Sequence, residues 1–138
     1  MNPQSPVSAT QVRCVNELDH VRIAKLVDGK TAHARLQELL DNADLVSPAE
    51  MAPDVVTMRS RVRVSELDGS DPREITLSYP DEADAAQGHV SVLSPVGTAL
   101  LGIKAGDVAS WTLPDGREAA LRVQAIAFQP EASGEYLR

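Results

Sequence analysis

The stretch from His89 to Asp107, HVSVLSPVGTALLGIKAGD, specifies its local structure more strongly than any other part of the chain. Ser94 is a candidate helix N-cap, because its hydroxyl can accept a hydrogen bond from a free amide of the first turn. Pro95 follows at the first helical position, where a missing N–H costs nothing. Gly102 is placed to end the helix in a left-handed conformation. Together with an apolar set at helical spacing (Val96, Ala99, Leu100 and Leu101), these residues predict a strand at Val90–Leu93, a tight corner and one short helix.

The run from Val55 to Glu66 alternates between apolar and polar residues, which is typical of a half-buried strand. One face would carry mainly apolar side chains, and the other would carry the polar and basic ones. The first face comprises Val56, Met58, Ser60, Val62 and Val64, and the second comprises Thr57, Arg59, Arg61, Arg63 and Ser65.

Turn-forming residues predict further strands on both sides of the short helix. Asp68-Gly69 is a turn signal, and a second strand is marked by Ile75, Leu77 and Tyr79. Pro114-Asp115-Gly116 predicts a hairpin between Val108–Leu113 and Glu118–Phe128, with the later strand inside the sheet. The fold class is therefore α+β, with one short helix on an antiparallel sheet.

The first third of the chain predicts a short antiparallel helical hairpin. After an arm at residues 1–15, Asn16 would cap a helix from Glu17 to about Val27, and Asp28-Gly29-Lys30 would break it. A second helix is expected from Thr31 or Ala32 to Asp44, with an apolar stripe of Ala32, Leu36, Leu39, Leu40 and Ala43. Ser47-Pro48-Ala49-Glu50 is a capping-box signal at the hinge. We predict two domains, residues 1–46 and 47–138.

Composition excludes several classes of function. The chain has 138 residues, a net charge of −7 and one cysteine, Cys14, which excludes an internal disulfide. The acidic balance disfavours direct nucleic-acid binding, which depends on Lys and Arg contacts to phosphates. No long apolar run or signal-peptide pattern is present, so we expect a cytoplasmic protein without a membrane contact. Aromatic residues are scarce: Tyr79, Trp111, Phe128 and Tyr136.

The chemistry-bearing residues give little sign of catalysis. Arg59, Arg61 and Arg63 form a basic ridge on an acidic chain, and it is either a solvated face paired with carboxylates or a contact for an acidic partner. The histidines have no metal-ligand spacing, and Cys14 has no activating neighbours beyond Arg13. The acidic group on the second helix (Glu38, Asp41 and Asp44) is expected to be solvated. We predict no catalytic residue, no metal and no cofactor.

Three blocks of sequence carry a family resemblance: residues 91–107, PDVVTM with SRV at residues 53–62, and Gln129-Pro130-Glu131-Ala132 with Gly134 and Tyr136. They resemble the C-terminal domain of the Gre-type transcript cleavage factors and, more closely, the Rnk-type proteins, the "regulator of nucleoside diphosphate kinase" group. The resemblance implies that residues 47–138 form an FKBP-like domain.

The resemblance also implies a partner. Gre-type factors dock on bacterial RNA polymerase through the corner that corresponds to Leu93, Ser94 and Pro95, where Leu93 replaces an acidic residue of the cleavage factors. Those factors hold a catalytic magnesium ion with acidic residues at the tip of a longer coiled coil, whereas this tip has Asp28 as its one carboxylate. The resemblance therefore predicts a non-enzymatic regulator that binds polymerase near its secondary channel and competes with cleavage factors.

Two alternatives stay open. The FKBP-like fold allows a peptidyl-prolyl isomerase, although four aromatic residues make an aromatic pocket hard to build. The other alternative is direct binding to nucleoside diphosphate kinase, to which the first hypothesis gives only an indirect link.

Overall fold

The structure is a computed structural model that describes residues 13–28 and 33–133. Strand β1 (Cys14–Asn16) leads into helix α1 (Glu17–Val27), and helix α2 (Ala34–Asn42) leads into strand β2 (Asp44–Val46). Several predictions fall outside the described residues: the arm at residues 1–12, the break at Gly29-Lys30, the start of the second helix at Thr31 or Ala32, and the block residues Gly134 and Tyr136. None of the described helices has the length and apolar character needed to cross a bilayer.

The first helix follows its sequence signals. Asn16 is the N-cap, and its side chain accepts from the backbone N–H of Asp19 at 2.8 Å. Ile23 and Val27 are buried on one face, four residues apart. The ring nitrogen Nε2 of His20 lies 3.1 Å from the carbonyl oxygen of Leu40, so the start of α1 lies beside the end of α2.

Two predictions for the first third of the chain were wrong. The second helix ends at Asn42 rather than Asp44, because Asp44 begins β2, which pairs in parallel with β1. The last residues of the expected arm are also part of this pairing, and Val15 is fully buried. The backbone N–H of Asp44 donates to the carbonyl of Arg13 at 2.8 Å, which joins the two ends of the helical segment.

The main sheet has five strands in the order β5–β4–β3–β7–β6. These strands are β3 (Arg61–Ser65), β4 (Arg73–Ser78), β5 (His89–Ser91), β6 (Val108–Thr112) and β7 (Glu118–Phe128). The β6–β7 hairpin and the interior place of β7 are confirmed. The sheet is not antiparallel throughout, because β5 pairs with β4 in parallel. Breaks in the β3–β7 register at Arg61/Val62 and Arg63/Val64 are irregularities of the kind that bend and twist a strand.

The strand predicted over Val55–Glu66 begins only at Arg61. Residues 57–60 form a turn, in which the N–H of Ser60 donates to the carbonyl of Thr57 at 3.0 Å. Arg59 has a φ of 67°, a left-handed conformation that interrupts the strand. Val56, Met58 and Val62 are buried as the alternation predicted, but Thr57 and Ser65 of the predicted polar face are buried as well.

The short helical elements complete the fold. Helix α3 (Pro95–Leu100) is confirmed, with Ser94 as N-cap and Gly102 at a φ of +81° just past the helix end. A turn of 3-10 helix spans Pro48–Glu50, but the Ser47 hydroxyl donates to the Glu50 carboxylate at 2.9 Å instead of capping the backbone. A last helix, α4 (Pro130–Ser133), was not predicted.

One hydrophobic core contains residues from both predicted domains. It joins α1 and α2 side chains to those of the sheet and α3, and includes Ile23, Val27, Leu36, Leu40, Val62, Val64, Leu77, Leu100, Ile103 and Val123. The helical segment therefore packs on the sheet instead of projecting from it as a separate body. The boundary between residues 46 and 47 stays a prediction.

Candidate functional site

The corner of Leu93, Ser94 and Pro95 is held by hydrogen bonds on both sides. The Ser94 hydroxyl donates to the carbonyl of Ser91 at 2.6 Å and accepts from the N–H of Gly97 at 3.1 Å. The N–H of Leu93 donates to the Ser91 hydroxyl at 3.0 Å. Pro95 is exposed and Leu93 is half-buried. The corner therefore presents two apolar side chains on a fixed backbone, while the serine hydroxyl holds the corner's shape.

Gly97 lies directly behind the corner. A Cβ at this position would meet the carbonyl oxygen of Ser91 at 1.9 Å, which is far inside van der Waals contact. The hydroxyl of Thr98, one residue on, donates to the carbonyl of Val92 at 2.8 Å. Helix α3 is thus pressed against the end of β5, and only glycine allows that approach.

Helix α2 reaches the same corner. A small cavity of about 200 Å³ lies between the two, and its lining comprises His33, Arg35, Leu36, Leu93, Pro95, Thr98, Trp111 and Thr112. The sequence alone did not bring α2 and the corner together, because the residues concerned are about 60 positions apart along the chain.

Arg13 ties the start of the described chain to the end of α3. Its guanidinium donates to the carbonyls of Leu101 at 2.8 Å and Thr98 at 3.3 Å. These carbonyls lie at the C-terminal end of the helix, where a cation is favourable. Burial, with a contribution from nearby Arg35, lowers the pKa of Arg13 to about 10.

The predicted basic ridge is divided into two places. Arg59 leaves the strand in its left-handed turn, stacks over the Tyr79 ring at 5.3 Å from the centroid, and donates to both carboxylate oxygens of Glu82 at 2.8 and 3.1 Å. Its pKa is raised by the hydrogen bonds to Glu82, and the pKa of Glu82 is lowered by the same contacts.

Arg61 and Arg63 keep the face that the alternation predicted. Arg61 is paired with Glu74 at 3.5 Å and lies over the Phe128 ring at 6.0 Å. Arg63 is exposed and forms no ion pair with any described residue. Pairing with carboxylates therefore accounts for Arg59 and Arg61 and leaves the charge of Arg63 in solvent.

Asp28 lies far along the chain from the corner, at the end of α1. It is exposed and forms the C-terminal boundary of that helix. Glu38, Asp41 and Asp44 are also exposed. In residues 13–28 and 33–133, no three His, Cys, Asp or Glu side chains converge as metal ligands would.

Sequence reasoning missed a buried polar cluster between α1 and the sheet. We use this term for Asn16, Asp19, Thr57, Ser60, Tyr79 and Glu131, all of which are buried. The Asn16 amide donates to both Asp19 and Glu131, and the Thr57 hydroxyl donates to Glu131 at 2.7 Å. The Thr57 and Ser60 hydroxyls are 2.8 Å apart. The cluster joins residues that are up to 115 positions apart.

Asp19 lies at the centre of the buried polar cluster. Its carboxylate accepts from the Tyr79 hydroxyl at 2.9 Å and from the backbone N–H of Met58 at 3.3 Å. Burial raises the pKa of Asp19 to about 6, the hydrogen bond from Tyr79 opposes that rise, and the charge of Glu131 adds to it. The pKa of Tyr79 is raised by burial and by the neighbouring carboxylate of Asp19. The sequence signal was that Thr57, Ser60 and Glu131 stand in blocks that carry the family resemblance.

Comparison with known proteins gives a consistent set of relatives. The family model "Transcription elongation factor, GreA/GreB, C-term" matches residues 50–128. The "Regulator of nucleoside diphosphate kinase" of Escherichia coli K12 is 41% identical over 128 residues, which cover 89% of this chain and 94% of that protein. "Transcription elongation factor GreA" of Acetivibrio thermocellus is 37% identical over 82 residues, 59% of this chain and 52% of that protein.

A solved structure has the same fold. It is the "Prokaryotic transcription elongation factor GreA/GreB from Nitrosomonas europaea", with a TM-score of 0.73 and 31% identity. The superposed residues cover 86% of this chain and 100% of that structure. The match extends beyond the C-terminal domain, since residues 50–128 alone are a smaller share of the chain.

Proposed function

This chain belongs to the Rnk-type branch of the GreA/GreB transcription elongation factor family, and we propose that it is a non-enzymatic transcription regulator. Its partner would be bacterial RNA polymerase, bound near the secondary channel. There it would compete with Gre-type cleavage factors for the same place. The link to nucleoside diphosphate kinase that its relatives' name carries would then be indirect.

The observation that carries this proposal is the geometry of the corner. Leu93 and Pro95 are presented on a backbone that the Ser94 hydroxyl fixes with bonds to Ser91 and Gly97. A fixed apolar corner loses little conformational entropy on docking, which favours binding. This is the element that the family resemblance assigns to polymerase contact.

The helical segment supports a competitor rather than a cleavage factor. Helices α1 and α2 have 11 and 9 residues and bury Ile23, Val27, Leu36 and Leu40 in the common core. At about 1.5 Å per residue, α1 is roughly 16 Å long. The bonds from Tyr79 and Met58 to Asp19 in the buried polar cluster attach α1 a second time to the rest of the domain. A short segment packed in this way reaches less far than a long projecting coiled coil.

The tip of the predicted hairpin, Asp28-Gly29-Lys30-Thr31, also supports a non-enzymatic function. By sequence, Asp28 is its one carboxylate, and Lys30 lies two residues further on. A magnesium ion in a protein is usually held by one or two carboxylates together with other ligands. A lone exposed carboxylate is a weak start for such a site.

The test uses stalled bacterial elongation complexes. We would measure RNA release with this protein alone and in competition with a Gre-type cleavage factor. The proposal expects no release by the protein alone and dose-dependent inhibition of the cleavage factor. Release by this protein alone would overturn the non-enzymatic assignment, and failure to compete at any concentration would overturn the shared binding place.

A matched pair of variants locates the contact. Pro95→Glu places a charge on the corner, and Pro114→Glu makes the same change in the exposed β6–β7 turn. We expect Pro95→Glu to abolish competition and Pro114→Glu to leave it unchanged. Leu93→Glu restores an acidic residue of the kind found in cleavage factors and should strengthen docking if the contact is shared.

No specific observation favours the alternatives. A prolyl isomerase assay is expected to show no turnover. Direct binding to nucleoside diphosphate kinase would appear as a complex that forms without polymerase, and the proposal expects none.

A further inference from the structure

A cavity of about 550 Å³ lies between α1 and the residues that follow β4. We call it the α1 cavity, and its lining comprises Arg22, Leu26, Arg59, Tyr79, Pro80 and Asp81. It shares no lining residue with the cavity beside Pro95. Pockets of this volume are large enough to enclose a small ligand, and therefore also an aromatic side chain.

The walls of the α1 cavity offer apolar surface. Leu26 on α1 and Pro80 after β4 are half-buried, so each keeps part of its side chain in contact with solvent. Tyr79 is buried, and its ring carries the Arg59 guanidinium at 5.3 Å from the centroid. An apolar or aromatic group that entered the cavity would remove this surface from water, which is favourable in proportion to the area buried.

The α1 cavity also has one cation and one carboxylate that form no ion pair with a described residue. The Arg59 guanidinium is already paired with both carboxylate oxygens of Glu82. Arg22 and Asp81, one of each sign, have no such partner in the part of the chain that the structure describes. The cavity therefore favours an occupant that carries a carboxylate and a cation beside its apolar part.

The chain itself contains a segment of this kind. Residues 134–138, which we call the tail, read Gly-Glu-Tyr-Leu-Arg and directly follow α4. An aromatic residue, Tyr136, stands between a carboxylate at Glu135 and a cation at Arg138. Gly134 and Tyr136 also belong to one of the blocks that carry the family resemblance, although neither the corner nor the buried polar cluster includes them.

We propose that the tail binds in the α1 cavity, with the Tyr136 ring against Leu26 and Pro80. Glu135 then lies beside Arg22, and the cation two residues after Tyr136 faces the carboxylate at the rim. The contact joins the second half of α1 to the residues after β4, whereas the buried polar cluster holds the first half of the same helix.

The anchoring of α4 places the start of the tail near the α1 cavity. Glu131 on α4 accepts from the Thr57 hydroxyl at 2.7 Å, and Thr57 begins the turn that contains Arg59. Glu131 also accepts from the amide of Asn16, the N-cap of the helix that forms one wall of the cavity. The tail therefore follows a helix that already contacts two of the elements around the cavity.

The tail is long enough for this path. Arg22 lies six residues along α1 from Asn16, a rise of about 9 Å. Tyr136 lies three residues beyond Ser133, and three extended residues span roughly 10 Å. The backbone reach of the tail thus matches the distance along α1 from its anchored start to the cavity.

Other occupants match the α1 cavity less well. Residues 1–12, MNPQSPVSATQV, contain no aromatic and no charged side chain. A second copy of the chain could present the same tail, but each copy carries a net charge of −7, which opposes association. The tail of the same chain meets the cavity without that repulsion between copies.

Nuclear magnetic resonance of the full chain can test the contact, because the chain has two tyrosines, Tyr79 and Tyr136. The tyrosine rings and leucine methyl groups are labelled with ¹³C, and Tyr136→Phe identifies the Tyr136 signal. We expect nuclear Overhauser contacts between the Tyr136 ring and the Leu26 methyl groups, unchanged by ten-fold dilution. A Tyr136 signal at the position of an unstructured peptide, without contacts to Leu26, would overturn the proposal. Contacts that disappear on dilution would assign the cavity to the tail of a second copy and would also overturn it.

Matched variants tie the contact to the α1 cavity. Leu26→Ser should move the Tyr136 ring signal to the position of an unstructured peptide. Val21→Ser changes an α1 residue that is 52% exposed and outside the cavity lining, and it should leave the signal in place. The Tyr79 signal reports whether each variant keeps the fold. An unmoved Tyr136 signal in Leu26→Ser would refute the site.

A charge exchange tests the same contact without changing the apolar walls. Arg22→Glu should increase the detached fraction of the tail at least three-fold at low salt, because it brings two carboxylates together. Adding Glu135→Arg to Arg22→Glu should restore the signal of the unchanged chain. Arg35→Glu, at an exposed position on α2, is the control and should have no effect. No effect of Arg22→Glu, or no restoration by the exchange, would contradict the proposed contact.

Discussion

The hydroxyl of Tyr79 donates a hydrogen bond of 2.9 Å to Oδ1 of Asp19, and both side chains are more than nine-tenths buried. This bond connects α1 to the residue that follows β4, 60 positions along the chain. It is the point at which the helical segment and the sheet share a buried charged group. Buried carboxylates are costly unless they are hydrogen-bonded, so the bond governs how well the two parts hold together.

Tyr79→Phe tests that bond. The substitution keeps the ring but leaves Oδ1 of Asp19 without its hydroxyl donor, so we expect a loss of about 1–3 kcal/mol in the free energy of unfolding. The loss should be larger at pH 8 than at pH 5, because the hydroxyl stabilises the charged carboxylate. Urea denaturation at both pH values measures it. Thr112→Val, which removes an exposed hydrogen bond to Glu118, is the control and should cost little. A Tyr79→Phe midpoint equal to that of the unchanged chain would contradict the assigned role.

Asp19 should make the fold less stable as pH rises through about 6. Its pKa is about 6 in the folded chain because of burial, and about 3.9 when unfolded. Between pH 3.9 and pH 6, Asp19 binds more protons in the folded state than in the unfolded state. The stability that its protonated form contributes is therefore fully present below about pH 4 and falls as the pH increases. The total loss is about 3 kcal/mol, reached above pH 6.

Asp19→Asn isolates this effect. The amide oxygen can still accept from the Tyr79 hydroxyl, but the NH2 group that replaces Oδ2 cannot accept from the N–H of Met58. That loss is the same at every pH, whereas the titratable charge of Asp19 is removed. Relative to the unchanged chain, the variant should gain about 3 kcal/mol in the free energy of unfolding between pH 4 and pH 7.5. Parallel stability curves for the two proteins would show that Asp19 does not titrate in this range.

Gly97→Ala should displace α3 from the end of β5. The added Cβ would lie 1.9 Å from the Ser91 carbonyl oxygen, a backbone atom that cannot rotate away. We expect a loss of about 1–3 kcal/mol or more, despite the better helix propensity of alanine. Gly69→Ala is the comparison, because its Cβ would meet nothing within 4 Å and only the φ of +90° opposes it, at about 1–2 kcal/mol. Polymerase competition should fail in Gly97→Ala but not in Gly69→Ala.

Of the three arginines in the predicted basic ridge, Arg63 is the one that forms no ion pair with a described residue. Arg63→Glu should weaken capture of bacterial RNA polymerase several-fold at low salt without moving the urea midpoint, because exposed strand charges add little to stability. Arg117→Glu, a charge reversal in the exposed β6–β7 turn, is the control. Equal capture by both variants at low salt would remove the basic face from the proposed interface.

Local signals predicted a good part of the fold. The caps at Asn16 and Ser94, the glycine at Gly102 and the turn at Pro114-Asp115-Gly116 all stand where the sequence placed them. At Asn16, Ser94 and the Pro114-Asp115-Gly116 turn, one short window contains both the donor and the acceptor, so the sequence pattern is sufficient. At Gly102 the local requirement is the left-handed backbone conformation that glycine allows. The corner of Leu93, Ser94 and Pro95 is likewise held by hydrogen bonds between residues that are close together in the sequence.

Predictions from the local sequence failed where contacts with a distant segment fix the backbone conformation. Alternation from Val55 predicted one strand, but the turn at residues 57–60 is held from elsewhere: Arg59 donates its N–H to the Leu77 carbonyl at 2.6 Å, and Thr57 binds Glu131. Burial of Val56 and Val62 satisfies the same hydrophobic pattern with or without the turn, so periodicity could not distinguish them.

By itself, the sequence determined the helix caps at Asn16 and Ser94, the turn at Pro114-Asp115-Gly116 and the family, because each depends on residues in order along the chain. Only the tertiary structure decided the parallel pairings of β1 with β2 and β4 with β5, and the cluster that joins Asp19, Tyr79 and Glu131. These contacts join segments that are far apart in sequence. A polar side chain at such a position looks the same in the sequence whether it faces water or a buried partner, and its cost or benefit is fixed only when the chain closes around it.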